Sequence, residues 1–201
     1  MTPVYKLSAS SVTGRTNYGS MLAGNPVFVP AAFESIATGT VGASSTSSVI
    51  TFSSIPSTYA HLQLRMFARA TTAERLDVRF NNDSGATNYD NHRMSGNGST
   101  VSADARIDYS ALWVSSAGYG VPTTALIGSA IVMDILDYTN TNKYKVTRTL
   151  SGQELNTSNS DIEFTSGSWK NTAAVNRIDV SIQGSTLAEY THIALYGIKG
   201  A

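Results

Sequence analysis

Three histidines, two tryptophans and a scatter of aspartates are the side chains with the most chemistry to offer in this 201-residue chain. His61, His92 and His192 stand far apart, and none has a second metal-type ligand at close spacing. A metal site would need folding to gather all three in a strict ligand geometry, so strand-surface positions are the plainer expectation. Acids cluster loosely as Asp77, Asp83 and Asp90, and as Asp134 and Asp137. A glycosidase needs two carboxyls facing each other across a cleft, which spacing along a chain does not supply. Residues 81–91 are dense in oxygen ligands, yet Asp83-Ser84-Gly85 fits no EF-hand pattern and reads as a turn. No Gly-x-Ser-x-Gly elbow occurs, and Gly96-Asn97-Gly98-Ser99 is a hairpin turn by composition rather than a phosphate loop. Cysteine is absent, which removes disulfides, thiol nucleophiles and thiolate metal sites. The expectation is no catalytic residue, no metal site, no cofactor and no enzyme activity.

Aromatic side chains carry the one hint of binding. Trp113, Tyr119 and Trp169 sit in Ser/Gly-rich surroundings that read as loops. Exposed there, they would stack on sugar faces and form a glycan platform. Trp113, following Ala111-Leu112, has the alternative of closing one end of the core.

The elements that must position these residues have a period of two. In His61–Arg69, Leu62, Leu64, Met66 and Ala68 share one face while His61, Gln63, Arg65 and Arg69 share the other. Arg75–Phe80 repeats the pattern. The apolar run 125–138 and the alternation from Tyr144 to Leu150 flank Thr139-Asn140-Thr141-Asn142, and read as a hairpin. Further strands are expected at 33–41, 47–53, 100–108, 160–166, 174–183 and 189–198, with one short helical turn at 57–60. This pattern predicts an all-β fold, an antiparallel sandwich or jelly roll formed as a single domain by residues 33–201. Its expected core holds Leu62, Leu64, Leu76, Val78, Val132, Leu136, Val146, Val180 and Ile182.

Charge narrows the partners. Fourteen basic residues balance fourteen acidic ones, and charged residues make up only 14% of the chain. A neutral chain gains little from counterion release, so nucleic acid and anionic membrane are poor partners. Ser and Thr, about a quarter of the residues, solvate the surface in place of charge. The opening residues Met1–Lys6 show no apolar signal core, and no window approaches a membrane helix, so folding in a cytosol is expected.

Residues 1–32 break the pattern. No period holds there, while Gly14, Gly19, Gly24, Pro3, Pro26 and Pro30 punctuate the segment. Its apolar side chains include Tyr5, Leu7, Tyr18, Leu22 and Phe28. Such a segment is either a loose end or an attachment arm whose side chains anchor in a neighbour.

A family resemblance rests on particular stretches. Phe33-Glu34-Ser35-Ile36-Ala37 and the run Val49–Arg65 resemble the opening of a family of tailed-bacteriophage virion proteins. The resemblance continues through Asp134–Tyr138, Lys143-Tyr144-Lys145 and Ser151-Gly152, and ends at Ala194–Lys199. It implies a non-enzymatic part of the particle exterior, of tail-fibre or capsid-decoration type, in phages of aquatic bacteria. Implied partners are other virion proteins and further copies of the chain, a closed trimer being the symmetry expected. A receptor-recognition module binding a host-surface glycan is the alternative role.

Overall fold

The computed structural model describes residues 32–115, 121–124, 127–155 and 160–200. They form twelve strands: β1 Phe33–Thr40, β2 Val49–Phe52, β3 His61–Ala68, β4 Leu76–Phe80, β5 Tyr89–Gly96, β6 Val101–Tyr109, β7 Leu112–Ser115, β8 Ser129–Leu136, β9 Lys145–Gln153, β10 Asp161–Trp169, β11 Ile178–Ile182 and β12 His192–Ile198. Eight of them make one sheet, in the order β1-β12-β3-β8-β9-β10-β5-β6, and four make a second, in the order β2-β11-β4-β7. Every pairing is antiparallel, and the two sheets pack as a sandwich. The expected all-β sandwich is the fold. Residues 57–60 form bends rather than a helical turn.

Alternation explains β3 directly. Leu62, Leu64, Met66 and Ala68 are buried, and Gln63, Arg65 and Phe67 turn the other way, whereas Arg69, expected on that outer face, is buried with its guanidinium on the Thr123, Thr124 and Glu189 carbonyls. Leu76, Val78, Val180 and Ile182 are buried as expected, together with Phe80, Ile178 and Leu195. Turns follow side-chain chemistry. Asn97 Oδ1 accepts bonds from Ser99 N and Thr100 N, and Gly98 adopts φ 86° between β5 and β6. Between β8 and β9, Asn140 Oδ1 accepts Asn142 N at 2.8 Å.

Three expected core residues lie on the opposite face. Val132, Leu136 and Val146 are exposed, at 38%, 42% and 48%. On β8 the inward set is Ile131, Met133 and Ile135. On β9 it is Lys145, Thr147, Thr149, Ser151 and Gln153, so the inner face there is polar. Beside it on β10, Glu163 and Thr165 are also buried. The face with Val132 and Leu136 also carries Asp134, while the inward set is uncharged, so the charge marks the side that turns out. Pleating forces the choice, because a one-residue slip would turn every side chain over.

Candidate functional site

Both tryptophans belong to strands, which corrects their expected placement in exposed loops. Trp169 closes β10 and is 1% exposed. Its ring stacks on Tyr89 at 6.5 Å and meets Phe80 edge-on at 5.7 Å. Its Nε1–H donates to Asp83 Oδ2 at 2.7 Å. Asp83 also accepts Gly85 N at 2.9 Å and the Asn88 amide at 2.8 and 2.9 Å. The oxygen-rich 81–91 stretch is therefore a clamp that ties a turn to the core indole. Burial alone would raise the Asp83 pKa, but the Gly85, Trp169 and Asn88 donors together hold the carboxyl below its usual value.

Trp113, in β7, lies against the outer side of the four-stranded sheet. The guanidiniums of Arg75 and Arg106 stand 4.7 and 5.1 Å from its ring, and Tyr109 packs edge-on at 5.8 Å. Arg75 in turn holds Asp77 through two bonds, at 2.5 and 3.1 Å, and donates to Tyr109 Oη at 2.8 Å. Burial is the largest influence on Asp77 and pushes its carboxyl up, against the pull of Arg75. Caged at 4% exposure, Trp113 offers no open face to a sugar. Tyr119 lies outside the described residues, as do Tyr5, Leu7, Tyr18, Leu22 and Phe28.

The other candidate groups are dispersed. His61 and His192 stand at opposite ends of the adjacent strands β3 and β12, and His92 is on β5, across the sheet. Asp137 N donates to His61 Nδ1, and the Asp137 carboxylate pairs with Lys143. Asp134 pairs with Arg148 at 2.9 Å, and Asp90 with Lys170 at 3.0 Å. Among the described residues no group of three His, Asp or Glu gathers to hold a metal ion. Two features escaped the sequence reading. Lys145 is fully buried, its Nζ donating to the carbonyls of Asn140, Lys143 and Thr172. Arg93 bridges Glu163 at 2.9 Å and Asp104 at 3.0 Å.

Besides these two side chains, residue order also hides the outer face of the eight-stranded sheet. Cross-strand register aligns two rows over β8, β9, β10, β5 and β6. One row is Ala130, Gly152, Ile162, Gly96 and Val101; the other is Val132, Leu150, Phe164, Met94 and Ala103. Ile162, Met94 and Leu150 are more than half exposed. From residue exposures the apolar area is roughly 700 Å², above the ~300–600 Å² of the largest patch on a typical monomer. A groove of about 940 Å³ runs from this patch toward β12, floored by Val132, Leu150 and Ala194. The four-stranded sheet differs. Its outer side carries Asp77, Arg79 and Asp179, held by Arg75, the Ser110 carbonyl and Arg177 respectively.

No family model, curated protein or solved structure matches the chain.

Proposed function

We propose that this chain is a non-enzymatic building block on the exterior of a bacteriophage particle, a tail-fibre or capsid-decoration component. It is made in the host cytoplasm, joins virion proteins and other copies of itself, and attaches through residues 1–32. One observation carries most weight: a broad apolar patch spreads over five strands of the eight-stranded sheet, with a groove along one side. Broad exposed apolar patches suit protein neighbours. The acids singled out as chemical candidates are tied to turns, strands and loops, which suits a part that works by shape. The motif resemblance over residues 33–199 supplies the phage setting. The glycan-receptor alternative loses two of its three platforms with the burial of Trp113 and Trp169.

The test is to locate the chain in purified particles of the virus that encodes it, by mass spectrometry and immunogold labelling. A second arm deletes residues 1–30. The shortened chain is expected to fold and stay soluble yet be missing from particles. Absence of the full chain from virions overturns the phage reading, and wild-type occupancy by the shortened chain overturns the role of the arm.

A further inference from the structure

The two exposed rows on the eight-stranded sheet are not uniform. Along β9 a large residue, Leu150, neighbours a small one, Gly152, two positions on and on the same face. On β5 the same pairing is Met94 with Gly96. On β8 it is Val132 with Ala130, and on β6 Val101 with Ala103. Only the central strand, β10, is large in both rows, with Phe164 and Ile162.

On four of the five strands this alternation is self-complementary, while on β10 Phe164 meets the partner's Ile162. A two-fold axis running across the strands, midway between the rows, exchanges one row for the other. Each strand then lies over its own copy, reversed in direction. Leu150 drops onto the partner's Gly152, Met94 onto the partner's Gly96, and Val132 onto the partner's Ala130. The strands of the two sheets are aligned, the geometry in which sheet faces pack about 10 Å apart. The same operation carries charge to charge. Arg148, one step beyond the Leu150 row and paired with Asp134, comes near the partner's Glu154, which follows the end of β9 and accepts from Ser160 Oγ. The roughly 700 Å² of apolar area approaches the ~800 Å² per partner of a standard interface. The face spans five strands, about 20 Å at 4.8 Å spacing, which a single extended segment would not cover.

We propose that a second copy of this chain covers this face, in a two-fold, sheet-on-sheet dimer that seats large residues in the glycine troughs. Such an interface is isologous and closes at two copies, leaving any three-fold association to other surfaces. The inference builds on the proposed role of the face, but it is read on the purified chain without any particle. Its failure is therefore distinguishable from failure of the phage reading.

The discriminating variant is Gly152→Leu. A Cβ at this position meets nothing closer than the Asp161 carbonyl at 3.7 Å, so the single chain accommodates it. It adds apolar surface, which would strengthen a merely sticky face, but it fills the trough that receives Leu150. Sedimentation velocity of the full wild-type chain between 1 and 100 μM (roughly the range of weak to standard interfaces) is expected to show a dimer. Gly152→Leu is expected to raise the dissociation constant at least tenfold, with unchanged circular dichroism and melting temperature. Arg148→Glu and Glu154→Arg are each expected to weaken the dimer, and the double exchange to restore it. A wild-type monomer at 100 μM overturns the proposal. So does a dimer that Gly152→Leu leaves intact or tightens, which would give the face to a different partner or to residues 1–31.

Discussion

Removing the Asp83 carboxylate tests how the core indole is held. In Asp83→Ala the Trp169 Nε1–H stays buried and loses its acceptor, while Gly85 N and the Asn88 amide lose theirs at a half-buried turn. An unsatisfied buried donor costs about 1–3 kcal/mol, and bonds to a charged group add about 1–2 kcal/mol, so the expected loss is about 2–4 kcal/mol. For a chain of this size that lowers the melting temperature by about 5–15 °C. Asp83→Asn keeps an acceptor and should lose about half as much. Urea unfolding followed by tryptophan fluorescence reads both, since Trp169 sits between Tyr89 and Phe80. Acid supplies a second axis. The folded-state pKa of Asp83 is depressed, so its contribution is complete above the unfolded value of about 3.9 and fades as pH falls through the folded one. The gap between wild type and Asp83→Ala should therefore narrow below about pH 4. A loss under about 0.5 kcal/mol at pH 7, the range of ordinary surface substitutions, would refute the reasoning. A gap unchanged down to pH 2 would refute the electrostatic part.

Lys145→Met should cost about 2–4 kcal/mol in urea, because three carbonyls around the 139–144 turn and the 170–174 loop lose their donor. Burial pushes the Lys145 ammonium below its usual pKa, so the unfolded chain holds that proton more tightly. Wild-type stability should gain from this group as pH climbs toward about 10.4, and the Met variant should lack that gain. Leu64→Ala, at a fully buried site, should cost about 2–5 kcal/mol, whereas Leu150→Ala in dilute solution should stay within about 0.5 kcal/mol. Equal effects would mean that the two faces of the large sheet are assigned the wrong way round.

The strands that alternate cleanly, such as β3, were legible from residue order alone, and so were the Asn-rich turns at 97–100 and 139–142. β5 was not. Tyr89–Gly96 puts Asn91 and Arg93 inward and Met94 outward, the reverse of the usual rule. β7 was hidden because all four of its residues are buried and no period shows. Val146 looked like core because it stands on the more apolar face of β9, with Leu150. The actual inward set is hydroxyls, Gln153 and a lysine whose charge is met by backbone carbonyls. The tryptophans were misplaced for a related reason. Ser and Gly around Trp169 suggest a loop, yet in β10 Thr165 and Gly167 face inward beside it. Of the partners that cage Trp113, Tyr109 and Arg106 are near in sequence, but Arg75, which closes the cage, comes from immediately before β4 and is not encoded in the local composition.

The hydroxyl-lined interior of β9 and β10 also shapes how the molecule responds to temperature. Exposing apolar surface raises the heat capacity of the unfolded chain by about 0.45 cal/K/mol per Å², while exposing polar surface lowers it by about 0.26. Thr147, Thr149, Ser151, Gln153, Glu163 and Thr165 are released together with the leucines and isoleucines when the sheets part. They subtract from an increment that is otherwise about 12–15 cal/mol/K per residue. A smaller increment flattens the curve of stability against temperature. The sandwich thus gives up less stability on either chilling or warming than one of equal size with an entirely hydrocarbon interior.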